Sequence, residues 1–565
     1  ESTQKEVRDG WAVELGSLAD AHAFFQASPD WRASVRFGVH QDDKVRPCDN
    51  CKASLLNLAT SMHERLVTDS ADFPARAASL YAELVRDTAS FAMLLGTEDV
   101  ASAYRRMPCS QPWFTVFAQW DPTYVGPDGV LGRVVFFRLQ GFNFGLKSAV
   151  VAFNRLSFFM TRVAVRILRV TCTSYYDDFC VAEPSFASGG QQLLRDMAER
   201  LRVPFSGDHL GDGKSHGPDE RNVFLGVEHD FSRFAQCRES EAGASEKRLK
   251  AIIKEIDTVL GCGTFLGSAG PSKLCGRLHF TISWGAGRFG NAALQPLHDA
   301  CKEGRPADVG DDLRVALTFI RAMLVDPVTN KPAQRRRRFR YSGSRARRPT
   351  VLVWSDARWE AAQDRPAGIG FVVFFPADDT ARDAAAASRT PPWLLGAATP
   401  PGRWRFAAYE PSAAEYAHWR ERKQYIGQLE LLAAVSVYYS LADDLRGRRV
   451  VHFIDNSGAM AGLVRDYSRD RDSAALVHTF WALAVGLDID VWFVFVYSEG
   501  NIADWPSRGH VAFAADLGAE EVKPLLLPPQ AMWGDVAAAL AHAGVAPAAR
   551  KRRRGGPSGP EAAAL

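Results

Sequence analysis

Ser174-Tyr175-Tyr176-Asp177-Asp178-Phe179 sets two adjacent carboxylates among apolar neighbours, with Cys172 before them and Cys180 and Val181 after. Burying such a pair is costly unless something neutralises the charge. A divalent cation that prefers carboxylate oxygen is the usual neutraliser. The apolar-Asp-Asp-apolar pattern predicts a β-hairpin with the acids at its turn. An isolated Asp-Asp turn is commonplace, because Asp is a favoured turn residue. The order of the motifs around this one decides its meaning.

The chain has 565 residues, enough for three or four domains. With 47% hydrophobic and 24% charged residues, a large core is feasible and any disorder is local. A net charge of +3 does not by itself mark a nucleic-acid binder. The basic residues are nevertheless clustered, in Arg335–Arg338 with Arg340, Arg345, Arg347 and Arg348, and again in Arg550–Arg554. Such runs are either solvated segments or nucleic-acid and nuclear-import contacts. Nine irregularly spaced cysteines predict reduced thiols in an intracellular compartment, cytoplasmic or nuclear. Cys48 and Cys51 form a lone CxxC with no partner pair at zinc spacing, so they read as structural thiols. No membrane span is expected. The most apolar run, His478–Tyr497, is interrupted by Asp488 and Asp490 and reads as a buried helix entering a buried strand. The first residue is Glu1, so the expectation is a piece of a longer chain.

Pattern and composition divide the chain as follows. Residues 1–30 read as a helical segment, and 31–235 mix strands, helices and loops around the aspartate motifs. Residues 236–330 are mostly helical, with Leu249, Ile252, Ile253, Ile256 and Leu260 at helix spacing. Residues 331–349 form an Arg-rich linker, and an α/β pattern fills 350–512. An Ala/Pro-rich basic tail, expected to be partly disordered, occupies 513–565.

Five further motifs accompany the Asp pair. Upstream stand Phe37-Gly38-Val39-His40-Gln41 with Lys44-Val45-Arg46-Pro47, then Asp99-Val100-Ala101-Ser102-Ala103-Tyr104. Next comes Asn143-Phe144-Gly145-Leu146-Lys147-Ser148-Ala149. Downstream are Lys214-Ser215 and Phe224-Leu225-Gly226. In this order, across residues 37–226, the chain resembles reverse transcriptases of long-terminal-repeat and DIRS-like retroelements. The resemblance implies an α+β fold: a right-hand polymerase of fingers and palm (31–235) and a helical thumb or connection (236–330). It also implies the partners: an RNA template, a DNA primer, an RNA–DNA hybrid and deoxynucleoside triphosphates.

The roles below are those the resemblance implies. Asp99 and Asp177, with Asp178 beside them, would hold Mg²⁺, with Mn²⁺ as a substitute, for an in-line phosphoryl transfer. Lys44 and Arg46 would neutralise the incoming triphosphate, Arg through its fork geometry. Tyr104, five positions after Asp99, would set a ring beneath the sugar and reject a ribose 2′-hydroxyl. Phe144 and Gly145 would lie against nucleotide and template, glycine permitting close backbone approach. Lys214 would protonate pyrophosphate. Val150 and Asn143 stand where many relatives carry proline, which puts fidelity and rate in doubt but removes no catalytic group.

A second set of acids follows. Asp356 ends the apolar run from Val351, Glu430 lies in a helical pattern, Asp455 follows Val450–Ile454, and Asp504 lies in Asn501-Ile502-Ala503-Asp504-Trp505-Pro506-Ser507-Arg508. This Asp-Glu-Asp-Asp order, on alternating strand and helix patterns, resembles ribonuclease H. The resemblance implies a second Mg²⁺ site that cleaves the RNA strand of a hybrid. Many ribonucleases H carry a His before the last Asp; here Tyr497-Ser498-Glu499-Gly500-Asn501 has none. The expected product is a retrotransposon RNA-directed DNA polymerase with ribonuclease H activity. The alternative is a domesticated, non-catalytic nucleic-acid-binding protein on the same scaffold. Retained carboxylates disfavour it, since a binder need not keep uncompensated acids. Oligomeric state is left open by the sequence.

Overall fold

β-branched and aromatic runs alternate with helical repeats along the whole chain, and the result is a mixed α+β architecture with several sheets. The computed structural model describes residues 2–526, apart from 27–29, 42–43, 86–89, 128, 208–214, 266–269, 286, 303–307, 327–328, 334–335, 343–348 and 379–400. The chain divides into two units: Glu1–Glu241 with Arg338–Arg345, and Ala242–Arg337 with Ala346–Leu565.

The first unit begins with β1 (Ala12–Gly16), β2 (Ala33–Gln41), β3 (Lys44–Asp49), β4 (Met93–Asp99), β5 (Val116–Val125) and β6 (Leu131–Leu139). It continues with β7 (Cys172–Tyr175), β8 (Asp178–Pro184), β9 (His216–Asp219), β10 (Arg221–Phe224) and β11 (Val227–Asp230). Next come β12 (Glu239–Ala244) and, far along the chain, β13 (Arg337–Arg340). Three sheets result, ordered β1-β6-β5-β2-β3, β7-β8-β4-β9 and β10-β11-β12-β13. The 1–30 stretch is not helical throughout: β1 lies between two short helices and pairs antiparallel with β6. Part of the 331–349 stretch is likewise ordered as β13, and the adjacent Tyr341 is buried against Phe234.

β8 is buried on both faces. Phe179 and Val181 pack with Phe153 and Met160 on one side, and Cys180 and Ala182 pack with Phe91, Leu95 and Phe224 on the other. This alternation is the period-two burial of a central strand. It fixes the register, because a one-residue slip would exchange the two faces.

A buried ionic network holds the first sheet to the N-terminal helix Ser2–Arg8. The β2–β3 register sets Arg36 opposite Asp49, and Arg36 Nε donates to Asp49 Oδ1 at 2.8 Å. Arg36 also bonds Glu6 Oε2 at 2.5 Å, and Arg105 reaches Glu6 Oε1 at 2.7 Å. The Arg36 guanidinium lies 3.4 Å from the Phe117 ring centroid. With Arg36 and Asp49 side chains 3% and 0% exposed, each ion depends on the other for solvation.

The second unit contains β14 (Val351–Trp359), β15 (Ala367–Pro376), β16 (Gly402–Tyr409), β17 (Arg449–Ile454), β18 (Asp490–Phe495) and β19 (Glu520–Glu521). They form one mixed sheet, ordered β18-β17-β14-β15-β16-β19. β14 runs antiparallel to β15 and parallel to β17, and β17 runs parallel to β18. The helices Ile426–Ser440 and Arg471–Gly486 cover one face. Leu352, Trp354, Phe374 and Phe453 build the core on the other face. The run His478–Tyr497 is the end of the second helix followed by β18. Four more helices, Glu246–Cys262, Gly270–Gly285, Gln295–Lys302 and Asp311–Leu324, share a separate core in which Leu249, Ile252 and Ile256 are buried. No helix among the described residues is long and apolar enough to cross a membrane.

Replacing Asp49 by Asn takes one of its two carboxylate partners from the buried Arg36 guanidinium, leaving Glu6. We expect it to cost about 3–5 kcal/mol, the range for breaking a buried pair from one side. Chemical denaturation followed by far-ultraviolet circular dichroism measures it. An unchanged midpoint would show that the network is not structural.

Candidate active sites

The hairpin expected from the Asp pair is present. β7 and β8 pair antiparallel with Tyr175 opposite Asp178, leaving Tyr176 and Asp177 as the turn. Asp177 is thus a turn residue, while Asp178 begins β8. Tyr176 sits at φ +53°, a region that aromatic residues seldom occupy. Its carbonyl accepts from Ser157 Oγ at 2.6 Å, and Thr161 Oγ1 donates to Ser174 Oγ at 2.9 Å. Both donors lie on the helix Lys147–Arg166, which braces the turn.

β4 brings in the third acid. Its antiparallel register with β8 sets Asp99 opposite Asp178, and Val100 N donates to the Asp177 carbonyl at 3.0 Å. Asp99 is oriented by Ser206, whose Oγ donates to Asp99 Oδ2 at 2.9 Å. The preceding residue, Glu98, is buried in an ion pair with Arg195 at 2.6 Å. Neighbouring acids on one strand therefore have different fates, one paired structurally and one turned to the hairpin.

Tyr104 lies beside the hairpin turn on a short 3-10 segment, Ala103–Arg106. Burial, and then the charge of Asp177, push its phenol up to about 12, so it stays a neutral hydroxyl. Its ring packs edge-on against Phe144 and Phe153, each with centroids 5.4 Å away. The Arg105 guanidinium lies 4.5 Å from the Phe144 ring centroid. Gly145 has φ +116°, and a Cβ there would lie 2.3 Å from the Asp49 carbonyl oxygen. Only glycine fits that approach. Asn57 clasps the same loop, donating to the Gly145 carbonyl and accepting from Lys147 N, both at 2.8 Å. Asn143 is fully buried, and neither of its side-chain polar atoms has a partner among the described residues. Lys44 begins β3, and Arg46, two residues on, is exposed. Lys214 lies outside the described residues.

In the second unit, ligand oxygens of Asp356, Glu430 and Asp455 lie within 4.8 Å of one another. Asp356 does not end its strand: β14 continues to Trp359, paired with β15. Asp455 directly follows β17, which runs parallel to β14. Glu430 is on the helix Ile426–Ser440, whose residues 428–438 are all buried. Asp356 is 4% exposed and Glu430 5%. Glu430 Oε2 and Asp455 Oδ1 are buried without a hydrogen-bond partner among the described residues. Burial pushes Glu430 well above the usual carboxylate range, and the charges of Asp356 and Asp455 add to the shift. Burial likewise pushes Asp356 up to about 7; a bond from Ser507 opposes this, and the charges of Asp455 and Asp504 reinforce it. An oxygen-only donor set in which Glu430 Oε2 and Asp455 Oδ1 have no hydrogen-bond partner among the described residues fits Mg²⁺ or Mn²⁺.

Asp504 opens the short helix Asp504–Ser507 and is bonded by Arg508 Nε at 2.8 Å. Its charge acts on both Asp356 and Glu430, although it is not one of the clustered three. Ser507 Oγ donates to Asp356 Oδ2 at 2.5 Å. Ser507 and Arg508 were missed as site residues, although each stands one helical turn beyond Asp504 in the sequence. Gly370 makes the arrangement achievable: a Cβ there would lie 2.3 Å from Ser507 N. The His-less loop is a 3-10 turn, Ser498–Gly500, tied to β14 by Asn501 Nδ2 donating to the Ser355 carbonyl at 3.1 Å.

The raised pKa of Asp356 gives an unusual pH dependence. Folding favours its neutral form, so its contribution is complete below pH 3.8 and is lost as pH rises through about 7. In metal-free protein, Asp356→Asn should therefore flatten the fall in melting temperature between about pH 4 and about pH 7. Differential scanning calorimetry across that window checks this. Identical slopes for the two proteins would contradict it.

No family model and no curated protein matches the chain. Solved structures give distant likenesses. A foamy viral protease-reverse transcriptase dRH in complex with double-stranded DNA is similar at a TM-score of 0.41 and 11% identity, covering 86% of this chain and 68% of that one. A foamy viral protease-reverse transcriptase with double-stranded DNA is similar at a TM-score of 0.38 and 11% identity, covering 88% and 82%. The same kind of protein with an RNA/DNA hybrid is similar at a TM-score of 0.41 and 10% identity, covering 88% of this chain and 52% of that one.

Proposed function

We propose that the chain is an RNA-directed DNA polymerase of a retrotransposon that also cleaves the RNA strand of the RNA–DNA hybrid. The observation that carries the reading is the register of β4 with β8. It sets Asp99 opposite Asp178 and bonds Val100 to the Asp177 carbonyl, although the three carboxylates are not among the side-chain groups whose ligand atoms all lie within 4.8 Å of one another. In this reading the first unit supplies fingers and palm, and the helices between 246 and 324 supply the thumb or connection.

Asp99, Asp177 and Asp178 would hold Mg²⁺ at the polymerase site, and Asp356, Glu430, Asp455 and Asp504 at the nuclease site. Bound there, the cation stabilises negative charge on the reacting phosphate oxygens. Ser206 keeps the Asp99 carboxylate aimed. Arg46 and Lys44 neutralise the triphosphate. The Tyr104 ring, held against Phe144 and Phe153, occupies the space that a ribose 2′-hydroxyl would need. Gly145 lets the backbone approach the nucleotide, and Lys214 donates a proton to pyrophosphate. At the nuclease site, Ser507 and Arg508 orient Asp356 and Asp504. Phosphate contacts from the basic residues hold template and primer, which makes binding weaken with salt.

Primer extension on an RNA template, with deoxynucleotides and ribonucleotides in parallel, tests the polymerase. Wild type should extend with deoxynucleotides. Asp177→Asn should lower extension by about 1,000-fold, equivalent to about 4 kcal/mol of lost charge stabilisation. Tyr104→Ala should raise ribonucleotide use relative to deoxynucleotide use by about 10-fold. A wild-type chain that binds hybrid and extends nothing would favour the non-catalytic binder.

A further inference from the structure

Outside both acidic sites, the helical core of the second unit contains a sulfur–nitrogen cluster. Cys275 and His279 are four residues apart on the helix Gly270–Gly285, and His298 and Cys301 are three apart on the helix Gln295–Lys302. Those spacings set each pair on one helix face. Ligand atoms of Cys275, His279 and His298 lie within 4.8 Å of one another. His279 Nε2 is 3.0 Å from His298 Nε2, and Cys275 Sγ is 3.5 Å from His298 Nδ1 and 3.9 Å from its Nε2. Zinc bond lengths imply tetrahedron edges of about 3.3 Å between two nitrogens and about 3.6 Å between nitrogen and sulfur. Cys301 is not one of the three whose ligand atoms all lie within 4.8 Å, but its thiol contacts Cys275, so a side chain able to supply a fourth ligand stands beside the group.

We propose that Cys275, His279, His298 and Cys301 bind one structural Zn²⁺. The donor set is two thiolates and two neutral imidazoles, the tetrahedral composition that zinc prefers. Cys275 is 6% exposed. On binding, each thiol would release its proton to solvent, and two thiolates would cancel the charge of the ion. Asn291 interacts with the His279 side chain, the kind of outer contact that orients a ligating imidazole. The ion would fasten the two helices to each other. The pattern escapes a scan for paired CxxC because each half is one Cys and one His, Cys-x₃-His and then His-x₂-Cys.

The proposal stands apart from the polymerase reading, and its test does not use activity. The purified full-length chain, dialysed against metal-free buffer, is assayed for zinc by mass spectrometry and for its Co²⁺ spectrum. The expected result is about one zinc per chain, with thiolate-to-cobalt charge-transfer and tetrahedral bands after exchange. The Cys275→Ser/Cys301→Ser double variant should lose both signals. Cys262→Ser, at an exposed thiol, and Asp455→Asn, at the oxygen-only site, should keep them. Wild-type protein with no zinc and no thiolate band would overturn the proposal. So would a double variant that retains the metal.

Discussion

Asp356, Glu430 and Asp455 hold ligand oxygens within 4.8 Å of one another, Asp356 and Glu430 buried and Asp455 half-buried, so ionising all three sets like charges side by side, and the packing of the second unit keeps them there. Carboxylates so placed cannot all ionise without a cation or a donor nearby. The chain supplies few donors: Ser507 bonds Asp356, while Glu430 Oε2 and Asp455 Oδ1 have no partner among the described residues. The parallel pairing of β14 with β17 and the all-buried helix of Glu430 hold the acids in place against their repulsion. Packing free energy from the apolar core therefore maintains a charge arrangement that is unfavourable by itself.

The first unit shows the contrast between acids that serve the fold and acids that do not. Buried Asp49 and Glu98 and half-buried Glu6 stand at ion-pair distance from the arginines Arg36, Arg195 and Arg105. Each would be expensive to break and does nothing but hold strands and helices together. Asp99 and Asp178 face each other across β4 and β8, Asp177 lies in the hairpin turn, and Ser206 bonds Asp99. Adjacent residues of one strand thus differ: Glu98 is ion-paired with Arg195, while Asp99 is bonded by Ser206 opposite Asp178.

Much of this was legible in the residues. The apolar run after Asp178 announced a strand because both faces of β8 are buried, so Phe179, Cys180, Val181 and Ala182 each meet a core. The 3-4 spacing of Leu249, Ile252 and Ile256 announced a helix because one stripe meets a core. What the sequence hid depends on contacts between distant residues. Nothing local marks Glu6 as the partner of Arg36 and Arg105, or Ser507 as the donor to Asp356. Arg-rich composition concealed β13, whose order comes from sheet pairing and from Tyr341 entering the core. The Cys275 cluster was hidden because its two halves lie on separate helices.

The most direct measurement is hybrid cleavage and primer extension in the same preparations of wild type, Asp455→Asn and Asp177→Asn. Two carboxylate centres with separate chemistry predict reciprocal losses. Asp455→Asn should stop cleavage of the RNA strand and spare extension, and Asp177→Asn should do the reverse. Normal cleavage by Asp455→Asn, or joint loss of both activities in a folded variant, would contradict the account.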